Sequence, residues 1–326
     1  MASLRQTQLR LSRRRDIIDE ALEDFVQKRM SGTQAPAMAL AREVLLAGGK
    51  RFRPILAMLA YEAAGGEDND EVMDLALAAE LIHTATLVHD DIYDFAKTRR
   101  GKPTLHANYG LAQGIIGGDY LFVPGFGLGG RYDAVIVEKM ADTCANIASG
   151  ELLQLHHIGD LGTTPEDYYA IIDGKTAGPF ATACASAAML ANAPEVVVNA
   201  LEEFGWEVGR AFQLVDDLLD LTGDTSLGKP RGSDVLEGKM TLPIIHALTM
   251  LHGVEREQFA DVLQNFGDDR WGELIELLTF AGSFDYANQL IENHVDRALQ
   301  HLEKLGSNSA TELMADVAKR SRNRKV

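Results

Sequence analysis

Apolar residues recur at three-and-four spacing along almost the whole chain, and that periodicity restricts it to helices. It runs through IIDEALEDFVQKRM, EVMDLALAAELIHTATLVHDDI, DYYAIIDGKTAGPFATACASAAML, EEFGWEVGRAFQLVDDLLDLTGD and FDYANQLIENHVDRALQHLEKL. Alternating runs with hairpin signals are missing, so little sheet is expected. Breaks fall at GGKRFRP, GGEDND, TRRGKP, GDLGTTPED, TGDTSLGKPRGSD and HGVERE, which are Gly, Pro, Asp and Thr clusters of loop length. Thr164-Pro165 followed by Glu166 and Asp167 reads as a helix start. No low-complexity linker or short repeat divides the 326 residues, so residues 1–326 are expected to form a single all-α domain.

Two of these helices end in acid. HDDIYD closes one apolar helix and VDDLLD closes another. Within each motif, Asp90 and Asp94, or Asp216 and Asp220, share a helix face, where like charges repel. Acid at a helix C-terminus also opposes the macrodipole. Asp91 and Asp217 sit beside these residues, and Asp224 follows one turn on. A solvated helix end would explain one such motif. Two of them, each closing an apolar helix, point to an oxygen-rich site for a divalent cation. Magnesium fits, being held by one or two carboxylates together with substrate phosphates.

Bases cluster beside the acids in Gly-Pro loops. Arg99, Arg100 and Lys102 follow the first motif, and Lys229 and Lys239 follow the second. Lys50, Arg51 and Arg53 lie in AGGKRFRP, and Lys175 with Thr176 in DGKTAG. Guanidinium forks suit phosphate oxygens. The acids would hold metal, the metal a diphosphate, and the bases the remaining phosphate charge. His83 lies two turns before Asp90 on roughly the same face. A lone histidine there is usually a core residue, but this one could line the mouth of the site.

A formal net charge of -17 argues against a general nucleic-acid binder. The first fifteen residues hold five arginines and no acid, a mild likeness to a transit peptide. The next residues continue at helical spacing, so the segment reads as the start of a surface helix. The most membrane-like run, 111–130, contains Asp119, Pro124 and seven glycines, so it makes a poor spanning helix and reads as a buried segment; no stable membrane anchor is expected. Cys144 and Cys184 lack any paired spacing and read as thiols in a reducing cytosol.

Seven motifs in order, GGKRFRP, IHTATLVHDDIYD, RRGKPTLH, GGDYL, GKT, FQLVDDLLDLTGD and GKPRGSDVLEGKMTLP, resemble the trans-polyprenyl diphosphate synthases of the polyprenyl synthetase family, geranylgeranyl diphosphate synthase most of all. The resemblance spans residues 48–243 and implies the all-α isoprenoid synthase type I fold, with helices around a deep central cavity and both acidic motifs facing it. It implies a cytoplasmic homodimer that uses Mg2+. The enzyme would be a prenyltransferase joining isopentenyl diphosphate head to tail to an allylic diphosphate. Asp90, Asp94, Asp216, Asp217 and Asp220 match metal positions, and Asp90, Asp91, Asp94, Arg99, Lys175, Asp216 and Asp217 match the catalytic set. Arg99, Lys175, Thr176, Gln213, Lys229 and Lys239 match the allylic diphosphate site, and Lys50, Arg53, His83 and Arg100 the isopentenyl diphosphate site.

In such enzymes bulky residues just upstream of the first motif limit product length. Here Ala85 and Thr86 stand there, and both are small, which argues for a product beyond fifteen carbons. Ile82, Phe122, Tyr120 or Phe126 would then form the floor, and a twenty-carbon product is expected, with a longer-chain polyprenyl product as the alternative. VPGFGLGG departs from the family's uninterrupted helix and predicts a kink at Pro124. Competing readings are a terpene cyclase or head-to-head synthase, a non-catalytic regulatory subunit of a heteromeric synthase, and a helical scaffold. The intact second motif and GGKRFRP oppose the first, two intact motifs oppose the second, and the scaffold leaves the ordered basic motifs unexplained.

Overall fold

The computed structural model describes residues 4–223 and 231–321, so Asp224 and Lys229 lie outside the described residues. The described chain is helical apart from turns and one small antiparallel hairpin, Thr98–Arg99 with Lys102–Pro103. The chain divides into two compact units, neither of them one continuous stretch. The first comprises Met1–Met140, Thr182–Leu201 and Leu305–Met314; the second comprises Ala141–Ala181, Glu202–Lys304 and Ala315–Val326.

In the first unit, helix Asn69–Tyr93 packs along helix Leu111–Gly129. Its N-terminus is capped by Asp68, whose side chain accepts from the Asp70 amide. By length and composition this is the one described helix apolar enough to cross a membrane, but 61% of its most apolar stretch is buried inside the protein, as befits a core helix. Its partner runs as one helix from Leu111 to Gly129 with Pro124 inside it. The glycines explain the pairing. A Cβ on Gly118 would stand 2.2 Å from the His89 ring, and one on Gly125 would stand 2.9 Å from Ile82. Along one face these glycines admit the neighbouring helix, and the packing it gains offsets their poor helix propensity.

In the second unit, Thr164 begins helix Pro165–Ile172 with a capping box closed by Asp167, as the sequence predicts. Helix Leu242–Met250 packs on helix Ser283–Glu303. Between Pro165–Ile172 and helix Gly178–Leu190 the backbone widens into a π-helical turn, Asp173–Ala177. Neither cysteine is joined in a disulfide, and burial pushes the Cys144 thiol up to about 11.

Candidate active site

The first unit gathers one acidic cluster and one basic cluster. Asp90 and Asp91 lie in the last turn of helix Asn69–Tyr93 and Asp94 caps its C-terminus. Carboxylates are thereby added to the negative end of a helix, a place that favours a cation. Asp91 is buried and accepts from Arg99 Nε at 2.6 Å. Burial pushes its carboxyl up against the opposing pull of Arg99.

Arg99 is placed by the hairpin. Its turn residues, Arg100 and Gly101, have φ of +53° and +74°, the pattern of a tight primed turn. The Arg100 guanidinium reaches back to the Gly48 carbonyl, and a Cβ on Gly49 would stand 3.1 Å from it. Glycine at 49 therefore leaves room for this arginine.

Arg51 is also left-handed, at φ +48°, and only 3% exposed. It donates to Glu80 at 2.6 Å, to Asp19 at 2.8 Å and to the Leu45 carbonyl at 2.8 Å. Glu80 is itself only 4% exposed. This buried pair anchors the GGKRFRP loop, and the sequence reading missed it. The signal was there: a lone glutamate inside ALAAELIHTAT.

One turn beyond Glu80 stands His83. Burial, then the charges of Arg53, Arg100, Arg99 and Arg51, hold its imidazole well below its ordinary range, so it stands neutral. Arg53, His83, Arg99 and Arg100 are thus brought together, as expected, while Lys50 is exposed at the loop. With Arg51 committed to Glu80 and Asp19, the guanidinium groups of Arg53, Arg99 and Arg100 gather positive charge around one imidazole within an acidic protein.

The positions expected to limit product length also lie in this unit. Ala85 is fully buried and Thr86 half-buried. Ile82 seats on Gly125. The Phe122 ring lies 5.9 Å from His89 and 6.3 Å from Phe126. Tyr120 turns elsewhere, its hydroxyl 3.3 Å from Gln34.

The second unit holds the other motif. Asp217 is 2% exposed and accepts from the Tyr168 hydroxyl at 2.6 Å and from Gln213 at 2.9 Å. Burial, then the charges of Asp234 and Asp216, push its carboxyl up to about 8. Gln213 also accepts from Thr176 at 2.9 Å. Lys175 sits in the π-helical turn, where such widened turns often mark function, and pairs with Glu151 at 2.5 Å. Lys239 pairs with Glu237 at 2.5 Å. Asp220 accepts from the Ser233 hydroxyl and amide and from the Asp234 amide. It therefore ties down the turn that brings Asp234 near Asp217, a task its spacing alone did not suggest. Tyr168 and Glu151 were also missed, because both contact the site from other helices.

Do these residues suit a divalent cation? The donors are oxygens, as a hard cation requires. Asp217 is a buried carboxylate with two like charges beside it, and a cation would relieve that repulsion. Among the described residues no three His, Cys, Asp or Glu side chains close into a cage of their own.

Comparison with known proteins follows this geometry. The family model described as polyprenyl synthetase matches residues 35–277. Over 302 residues the chain is 36% identical to an all-trans-nonaprenyl-diphosphate synthase (geranyl-diphosphate specific) of Rhodobacter capsulatus, covering 92% of each. A short chain isoprenyl diphosphate synthase of Methanothermobacter thermautotrophicus is 36% identical over 306 residues, covering 92% of this chain and 94% of that one. A solved polyprenyl synthase from Caulobacter crescentus, complexed with calcium and isoprenyl diphosphate, matches with a TM-score of 0.89 at 35% identity, covering 97% of this chain and 98% of that one.

Proposed function

Because the chain belongs to the polyprenyl synthetase family, we propose that it condenses isopentenyl diphosphate with an allylic diphosphate, using magnesium, to make geranylgeranyl diphosphate. It is a trans-prenyltransferase with the all-α isoprenoid synthase fold; the magnesium, the individual substrates, the twenty-carbon product and a homodimeric state are the finer parts of this reading.

The observation that carries it is the carboxylate cluster closing helix Asn69–Tyr93 beside Arg53, Arg99, Arg100 and a neutral His83. In the first unit Asp90 and Asp94 hold metal, and Lys50, Arg53, His83 and Arg100 hold isopentenyl diphosphate. A neutral His83 donates a hydrogen bond there without adding charge to a crowded cationic site. In the second unit Asp216, Asp217 and Asp220 hold metal. Lys175, Thr176, Gln213 and Lys239 hold the allylic diphosphate. Bound magnesium would supply Lewis-acid stabilisation of the departing diphosphate. The cations of the chain share that task, being fixed before the charge develops. The allylic C–O bond breaks, the isopentenyl double bond attacks the resulting cation, and a proton leaves to the released diphosphate. Apolar walls keep water from the cation. The small Ala85 and Thr86 support growth past fifteen carbons, and Ile82, one turn further from Asp90 and seated on Gly125, supports a limit soon after.

The test is purified chain incubated with magnesium, labelled isopentenyl diphosphate and each allylic starter in turn, with products resolved by length. A single twenty-carbon product is expected, and a chelator should stop turnover. Longer products would support a longer-chain synthase, the reading favoured by likeness to the nonaprenyl enzyme. No product with any starter would favour the regulatory-subunit reading.

A further inference from the structure

The π-helical turn Asp173–Ala177 is held to the 202–222 stretch of helix Glu195–Thr222 at three successive places. The Asp173 carboxylate takes a two-pronged hydrogen bond from Arg210, Nε to Oδ1 and Nη2 to Oδ2, both 2.8 Å. Ala177 packs on Gly209 so closely that a Cβ there would stand 2.5 Å from the Ala177 Cα. Thr176 donates to Gln213. On another side of the turn, a Cβ on Gly174 would stand 2.7 Å from the Asn146 carbonyl. Steric contact thus sets how near the turn lies, but the planar Asp173–Arg210 fork is the contact that sets its rotation. Arg210 is itself steadied from behind. Its Nη1 lies 3.4 Å from buried Glu207, which accepts from Arg297 at 2.9 Å and pairs with His294 at 2.7 Å, while the Tyr169 hydroxyl lies 3.0 Å from the other ring nitrogen of His294.

From this geometry we infer that Arg210 and Asp173 are positioning residues that set where the π-helical turn presents Lys175 and Thr176, and so set affinity for the allylic diphosphate specifically. The inference rests on the reading that Lys175 and Thr176 bind that diphosphate. Neither Arg210 nor Asp173 is assigned to substrate. They act on Lys175 through the one or two residues of backbone between, and misplacing a binding group by a fraction of an ångström to an ångström weakens it strongly.

Three variants and one combination test it: Arg210→Ala, Asp173→Asn, Lys175→Ala, and Arg210→Ala with Lys175→Ala. Steady-state kinetics would be measured for each substrate separately, with thermal unfolding alongside. Arg210→Ala and Asp173→Asn should each raise the allylic KM about tenfold while leaving the isopentenyl diphosphate KM within about twofold. In the Lys175→Ala background, Arg210→Ala should add clearly less than it does alone, the remainder being its effect through Thr176. The isosteric Asp173→Asn keeps the inference testable if Arg210→Ala folds poorly. Equal rises in both KM values, or an additive effect in the Lys175→Ala background, would overturn the positioning role. If Lys175→Ala raises the allylic KM and neither Arg210→Ala nor Asp173→Asn does, the positioning role alone falls. If Lys175→Ala leaves the allylic KM unchanged, the assignment of Lys175 falls and the inference with it.

Discussion

Arg51 spends its charge on the fold, although it stands in a loop otherwise read as phosphate-binding. Its guanidinium is buried against Glu80, and the positive φ at this non-glycine residue is held by the same three hydrogen bonds. Removing one member of a buried pair costs more than the pair contributes, because the other is left charged and desolvated. Arg51→Met should therefore lower unfolding stability by about 3–5 kcal/mol in urea titrations. Arg51→Met with Glu80→Leu should recover much of that loss, since no buried charge remains. A loss below about 1 kcal/mol for the single variant would show that water reaches Glu80 and that the pair behaves as a surface bridge. The contrast with Arg100 is instructive. Both arginines have positive φ in glycine-containing loops, yet one is sealed against acid and the other borders His83.

At the scale of the element, glycine decides which helices touch. A Cβ on Gly205 would stand 2.5 Å from the Ala181 Cα and 2.7 Å from the Phe180 carbonyl, backbone atoms that cannot swing aside. Gly127, in helix Leu111–Gly129, has nothing within 4 Å of a Cβ. Alanine is the better helix former by about 1 kcal/mol. Gly127→Ala should thus stabilise by about 0.5–1 kcal/mol, whereas at Gly205 overpacking of about 1–3 kcal/mol or more should outweigh that gain. Chemical denaturation of the two variants should show opposite signs, and a stabilised Gly205→Ala would mean the helices can separate freely. This is also where the sequence was least legible. The helices themselves follow from apolar spacing, which survives in any context. The glycines of 111–130 gave no sign of their role, because Gly114, Gly118 and Gly125 have meaning only once helix Asn69–Tyr93 lies against them. The π-helical turn was invisible for the same reason: Gly209 and Arg210 shape it from another helix. The hairpin at Thr98–Pro103 is too short to show alternation. Among site residues, the aspartates and basic loops were legible from type and spacing. Tyr168, Glu151 and the Arg51–Glu80 pair were not, since each depends on a partner distant in sequence. Asp220 was legible as an acid but not as the residue that ties down the turn at Ser233.

For the whole molecule, charge and apolar surface oppose each other. Two copies each carrying -17 repel, so net charge opposes self-association and apolar contact would have to outweigh it. Helix Leu111–Gly129 turns its glycine face inward and leaves Leu111, Ile115, Ile116, Val123 and Phe126 exposed around the remaining circumference. A run of apolar side chains of that extent on a surface marks an interaction site. With a second copy of the chain as occupant, the same stripe would serve both subunits across a two-fold axis. Val123 is the natural probe, because at 69% exposure it contributes little to the fold of its own chain. Val123→Glu should convert a dimer to a monomer in sedimentation or light-scattering measurements, with the unfolding transition of the separated chain still cooperative. The salt dependence then reports the balance directly. At ordinary ionic strength salt screens repulsion between charges of the two acidic copies that lie more than about 8–10 Å apart, whereas it leaves apolar contact intact. A dimer formed through this stripe should therefore tighten as salt is raised from low values, the opposite of an interface held by ion pairs. A dimer that loosens with salt would place the association on charged groups, and a dimer unchanged by Val123→Glu would place it on another face.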